Sequence, residues 1–274
     1  TSISNEAAQG KLGIPARPNI KKVLIFSISP NIEEIIKEMN EHTLERLEIM
    51  LACKNAAENC DFLSNILRKR HGDVKDIFAT QPLIEPMEFD LEGAWSLEGL
   101  TLTEFDAIFI LADESELRVD ADSRTVLLLV LINNLRDRNL DSNFPPVVTE
   151  ILDQQTLDLL ENSTIDDAVI STEFLSNLLL QVARNPFLEA IYRELLNAGG
   201  VEMGFRPIER YASTADKIRH VDIVMAAQSL NETVIGYKIF DKGIPQIIIN
   251  PKKTECFHFS SKDQLIVLAQ QLYT

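Results

Sequence analysis

The chain has 274 residues, 45% hydrophobic and 25% charged, which suffices for one large or two smaller domains with real cores and argues against bulk disorder. Its formal net charge is −16, and the charge is uneven: Glu85 to Asp122 holds 12 acids and one base, Arg118. Phosphate binding needs clustered Lys and Arg, so this balance argues against a nucleic-acid partner. The three cysteines, Cys53, Cys60 and Cys256, form no CxxC pair and are odd in number, as expected of reduced thiols in a cytosolic compartment rather than of a disulfide framework.

No apolar run approaches the roughly 18 residues that span a bilayer. The longest is Val126 to Ile132. No direct membrane contact is expected of this chain, and no signal peptide is visible. It begins at Thr1 rather than Met, so it reads as a piece of something longer.

In chain order, residues 1–19 are polar, carry Gly10, Gly13, Pro15 and Pro18, and read as a linker. KKVLIFSI (21–28) is a buried strand, and NIEEIIKEMNE has apolar residues at helical spacing. LEIMLAC (47–53) is a second strand. AAENCDFLSNILRKR (56–70) is an amphipathic helix with bases at its C-terminal end, where the helix dipole favours them. QPLIEPMEF (81–89) is a third strand weakened by two prolines, and AWSLEGL a short helix. FDAIFILA (105–112) is a strong strand that runs into the acids Asp113, Glu114, Glu116, Asp120 and Asp122 and then into an apolar helix, 124–136. PVVTEIL (146–152) and DAVIS (167–171) are two further strands. This alternation predicts a Rossmann-like, doubly wound parallel sheet.

Residues 173–200 are helical but broken at Pro186, which removes a backbone donor and predicts a kink or a helix–turn–helix. From about residue 200 a strand, an amphipathic helix (220–230) and three short strands read as a small α+β lobe. The expected domains are therefore a linker (1–19), a Rossmann-like lobe (20–172), crossover helices (173–199) and a C-terminal lobe (200–274).

The first strand-to-helix turn, FSISPNIEE, lacks the glycines that let backbone amides approach a pyrophosphate, and the second strand ends in Cys53-Lys54-Asn55 without an acid to hold a ribose. Both features argue against NAD in its usual mode and against an NAD-dependent oxidoreductase. Asp113, Glu114, Glu116, Asp120 and Asp122 form a candidate divalent-cation site, because hard ions take several carboxylate oxygens. The segment lacks the glycine and spacing of an EF-hand, and a solvated acidic rim explains it equally. No Ser–His–Asp or Cys–His arrangement follows from spacing, so no enzyme is expected. The unbroken apolar run at 126–132 and the apolar broken helix suggest self-association, with Leu128 and Leu131 as contact residues.

The segments DAIFILADESE…DADSRT, VTEILDQQT, DAVISTEFLSNLLLQVA, VIGYKIF…INP and SSKDQLIVLA follow one order. In that order the chain resembles the cytosolic RCK (regulator of K⁺ conductance) domains of the CASTOR and POLLUX ion channels of plants and their bacterial relatives, from about residue 20 to 272. The resemblance implies a Rossmann-like lobe, a crossover helix pair and a C-lobe like that of Trk-type regulators. It also implies several RCK units arranged as a ring below the pore domain of a parent cation or potassium channel. The function implied is ligand-gated conduction, with Ca²⁺ as the possible ligand and a location on the cytoplasmic side of a membrane protein. The alternative is a soluble nucleotide-sensing subunit of a Trk-type potassium-uptake system.

Overall fold

Six strands in the first part of the chain lie parallel in one sheet: β1 (Lys22–Phe26), β2 (Glu48–Cys53), β3 (Leu83–Glu88), β4 (Ala107–Ile110), β5 (Val147–Ile151) and β6 (Asp167–Ile170). The structure, a computed structural model, describes residues 20–43, 45–71, 81–91, 97, 100–113, 118–138, 144–156, 167–196, 201–212, 217–241 and 244–270. The expected linker, most of the short helix at 94–100, and both Glu114 and Glu116 lie outside them. The chain divides between Pro186 and Phe187 into two units.

In the first unit the strand order is β3-β2-β1-β4-β5-β6. The order turns back on itself between β1 and β4, which sets a crevice at the carboxyl ends of those two strands. Helices α1 (Ile32–His42), α2 (Ala56–His71), α3 (Arg118–Arg138) and α4 (Ser171–Arg184) lie between or after the strands. Alternate strand residues feed two cores. Val23, Ile25, Ile49 and Leu51 pack with Ile36 of α1 and Leu63 of α2. Leu24, Phe26, Ile108 and Ile110 pack with Leu128, Leu129 and Ile132 of α3. Pro86 is tolerated because β3 is an edge strand, where a missing N–H breaks no ladder.

Helix α3 extends the apolar stretch at 124–136 back to Arg118, which puts Asp120 in its first turn, where an acid is stabilised by the helix dipole. One expectation needs correction. Leu128 is not a contact residue: it is 3% exposed in the core, and Leu131 packs against the same core. Among the described side chains, the large apolar ones that α3 shows to solvent are Leu127 and Val130. At Pro186 the chain makes two helices, α4 ending at Arg184 and α5 (Leu188–Leu196) starting in the second unit.

The second unit holds α5, β7 (Glu202–Pro207), β8 (Ile218–Arg219), α6 (His220–Gln228), β9 (Thr233–Asp241), β10 (Ile244–Ile249), β11 (Cys256–Phe257) and β12 (Gln264–Ala269). Four strands form an antiparallel sheet of order β10-β9-β12-β7, and β8 pairs with β11. This is the expected small α+β lobe, with the β8–β11 pair added. Its core gathers Tyr237, Leu265 and Val267 from one sheet face against Ile223 of α6, Ile208 and Phe259. A Cβ on Gly236 would stand 2.1 Å from the carbonyl oxygen of Ile248, so only glycine lets β9 and β10 approach there. At the edge of this core, fully buried Arg206 lies 3.4 Å from Glu232, with Arg210 3.6 Å from the same carboxylate and Tyr211 donating its hydroxyl to it. Burial, and then the Glu232 carboxylate, push the Tyr211 phenol well above its ordinary pKa.

Candidate functional site: a cleft at the switch point of the parallel sheet

The carboxyl ends of β1, β2 and β4 open onto a cleft of about 580 Å³. That volume falls within the range of small-molecule sites, and the position is where open α/β sheets bind ligands. Its floor is apolar: Phe26, Phe89, Ile110 and Leu128. Phe26 and Phe89 meet edge to face with ring centroids 5.1 Å apart. Its wall carries charges of both signs: Lys54 at the end of β2, Asp90 after β3, Asp113 after β4, and Arg124 on α3.

The turn after β1 keeps a left-handed residue without a glycine. Ser27 has φ 68°, and its N–H donates to the Ala52 carbonyl at 3.0 Å. A non-glycine residue in that region costs roughly 1–2 kcal/mol. Ser29 is buried, its hydroxyl oxygen accepting from the Asn31 N–H at 3.3 Å and its carbonyl from the Ile32 N–H at 3.1 Å. The missing glycines therefore do not remove the turn; they leave serine side chains where a cradle would present bare backbone.

The start of α2 is closed to anions. Glu88 accepts from the N–H groups of Asn55 at 2.9 Å and Ala56 at 3.0 Å, donors that in a phosphate site would point at the ligand. Asn59 donates to the Lys54 carbonyl at 3.0 Å and so fixes the end of β2. Lys54 and Asp90 pair at 3.1 Å, both about half exposed, a contact worth at most about 1 kcal/mol. Burial pushes the thiol of Cys53, which lines the cleft, above its ordinary pKa; beneath it Cys60 is pushed up to about 11, again chiefly by burial. Neither is an activated nucleophile.

Of the five acids proposed as cation ligands, Glu114 and Glu116 lie outside the described residues. Asp113 lines the cleft, and Asp120 is exposed in the first turn of α3. Asp122 is not part of a rim. It is 1% exposed, and its two oxygens accept from the N–H groups of Leu152 and Asp153, each at 2.9 Å. That ties α3 to the end of β5 and takes Asp122 out of a ligand set. Among the described residues no group of three or more His, Cys, Asp or Glu could hold a metal. Two other acids of the Glu85–Asp122 window serve the same kind of purpose: Glu88 as above, and Asp106, which accepts from the N–H groups of Lys21 and Lys22 at 2.8 Å each. Part of the acidic excess is thus internal hydrogen bonding. The sequence reading missed Phe26, Phe89, Lys54, Asp90 and Arg124 as cleft residues; their positions at strand ends flanking the β1–β4 switch point were the available signal.

No family model matches the chain. Among curated proteins it is similar to the "Probable ion channel CASTOR" of Oryza sativa subsp. japonica, 30% identical over 64% of this chain and 23% of that protein. It is also similar to the "Probable ion channel POLLUX" of Arabidopsis thaliana, 32% identical over 63% of this chain and 24% of that one. The chain thus spans about a quarter of the length of the curated relatives it matches. Among solved structures, the human SLO3 gating ring aligns with a TM-score of 0.57 at 10% identity, over 92% of this chain and 44% of that one. Among the described residues no helix is long and apolar enough to cross a membrane. The chain is a homologue of the CASTOR and POLLUX ion channels, and its fold is similar to that of the human SLO3 gating ring.

Proposed function

We propose that this chain is a cytoplasmic regulatory domain of a CASTOR/POLLUX-type cation channel, one RCK unit of a gating ring that passes ligand binding on to a pore. The observation that carries this reading is the 30–32% identity to CASTOR and POLLUX channels across nearly two thirds of the chain. The cleft at the β1–β4 switch point supplies a place for an input. A ligand acts there by binding one arrangement of the strand ends and α3 better than another, and it shifts the equilibrium by no more than that difference in affinity. The thiols are not activated, which supports binding rather than covalent chemistry. The relatives do not favour a stand-alone subunit of an uptake system.

Assembly of several units is part of the same proposal. Helices α4 and α5 and the turn between them expose Phe174, Leu175, Leu179, Phe187 and Ile191, each more than half exposed. Apolar helices of this kind mark subunit contacts. A divalent cation at Asp113, Glu114, Glu116 and Asp120 is a further proposed input.

The test is electrical. The full-length protein that carries this chain is reconstituted in planar bilayers and should conduct cations. Deleting residues 20–270 should leave conduction but remove its response to ligand on the cytoplasmic side. A full-length protein that conducts nothing, or whose ligand response survives the deletion, overturns the reading.

A further inference from the structure

The cleft at the switch point joins an apolar floor to a wall whose charges balance. Phe26, Phe89, Ile110 and Leu128 make the floor, and among the described residues the charged lining is two bases, Lys54 and Arg124, against two acids, Asp90 and Asp113. A phosphate-bearing ligand is poorly served by this arrangement. It needs open N–H donors and a surplus of positive charge. The donors at the start of α2 are already held by Glu88, at 2.9 and 3.0 Å, and each base on the wall is matched by an acid. The chain's net charge of −16 also lowers the concentration of anions around it.

Other simple ligands fail for opposite reasons. A wholly apolar molecule would strip water from the charged wall and return no hydrogen bond. A lone cation would meet two bases, and a lone anion two acids. The lining suits a molecule with an apolar body and a head that carries both signs.

We propose that this cleft binds a free α-amino acid with a large aromatic side chain, an assignment that rests on the gating-ring reading above and names its ligand. The side chain lies on the apolar floor. The carboxylate faces Arg124, whose planar fork matches a carboxylate in two hydrogen bonds. Buried Ser29, also on the lining, accepts from the Asn31 N–H and keeps its own proton to give. The ammonium faces Asp113 and Asp90. Arg124 and Leu128 stand four residues apart on α3, about 6 Å along the axis, which suits the short reach from an amino-acid carboxylate to an aromatic ring. The Lys54–Asp90 pair, half exposed, is weak enough for the ligand's charges to exchange with it. A volume of about 580 Å³ takes such a molecule with room for water. So bound, the ligand ties α3 to the segments after β3 and β4, which is the differential contact that a gating input requires.

Isothermal titration of the full chain tests this with L-tryptophan as the probe. Its comparators each change one feature: tryptamine lacks the carboxylate, indole-3-propionate the ammonium and glycine the apolar body, while AMP brings a phosphate. L-Tryptophan should bind saturably. The two one-charge analogues should bind roughly tenfold more weakly or worse, the worth of one charge-assisted hydrogen bond. Glycine and AMP should give no saturable heat. Arg124→Gln should weaken L-tryptophan and leave tryptamine unchanged; Asp113→Asn should weaken L-tryptophan and leave indole-3-propionate unchanged. No saturable binding of L-tryptophan, equal binding of the one-charge analogues, or AMP binding as tightly overturns the proposal without recourse to any variant. Binding of L-tryptophan that neither folded variant alters puts the amino acid elsewhere and overturns it too. The two readings fail separately. A channel response lost on deleting residues 20–270, with no L-tryptophan bound, removes the ligand assignment alone. L-Tryptophan bound as described, in a full-length protein that conducts nothing, supports the ligand and removes the gating reading.

Discussion

The parallel sheet of the first unit buries both faces along β1, β2 and β4, whereas the antiparallel sheet of the second buries one. In the first, successive residues such as Leu24 and Ile25 go to different cores, each closed by helices. In the second, Leu265 enters the core, but Phe205 and Ile247 are left at solvent on the other side. The connections explain the contrast. A parallel strand pair needs a crossover, and the crossover brings a helix that covers a face; antiparallel neighbours need none. The first unit therefore keeps its free chemistry at a strand edge, as a cleft, and the second keeps it on a face.

The largest effect that could break this comparison is in α3. Leu128→Ala should cost about 3–5 kcal/mol in urea unfolding, while Leu127→Ala, one residue along and exposed, should stay within about 0.5 kcal/mol. Equal losses would mean that the second core is not closed as described.

Next comes β7, where neighbouring side chains lie on opposite faces. Arg206→Ala removes one partner of the buried Glu232 and should cost about 3–5 kcal/mol. Phe205→Ala should cost markedly less in denaturant titration at concentrations where the chain is a monomer. A loss as large as that of Arg206→Ala would show the outer face covered within one chain.

Asp122→Ala strands two backbone donors, at Leu152 and Asp153, and should cost about 1–3 kcal/mol. It should leave any calcium response intact. Millimolar calcium should raise the melting temperature slightly, and Asp113→Ala with Asp120→Ala should diminish the rise. No rise in the wild type, or an equal rise in that double variant, removes the cation from the proposal.

The smallest effect is one of pH, and it belongs to the second unit. His220 is buried, its Nδ1 2.5 Å from the Tyr237 hydroxyl. Burial lowers its pKa from the ordinary 6.5, with Lys253 adding to the shift and Glu255 opposing it. The unfolded chain then takes up the proton at higher pH than the fold does. The contribution to stability is fully present above the unfolded value and is lost as pH falls through the lowered folded value. Scanning calorimetry from neutral to mildly acid pH should show the second unit's transition falling, and His220→Gln should flatten that fall.

Sequence by itself determined the order and type of most elements, because periodicity and Pro/Gly punctuation are local. KKVLIFSI, FDAIFILA and PVVTEIL are apolar runs of strand length, and the break at Pro186 is covalent. It also determined the likeness to CASTOR and POLLUX channels, which rests on ordered segments rather than on contacts. Tertiary structure alone decided what the acids do. Asp122, Asp106 and Glu88 look in sequence like Asp113 and Asp120, yet they are spent on backbone donors 30 to 85 residues away. It also decided which residues of the Val126–Ile132 run face water, since a run apolar at every position has no stripe to read; only the sheet beneath α3 separates Leu128 from Leu127. The cleft was hidden for the same reason: Phe26, Lys54, Asp90 and Arg124 become neighbours only when β1, β2 and β4 align, and a glycine-free turn with Ser27 at positive φ leaves no local mark of it.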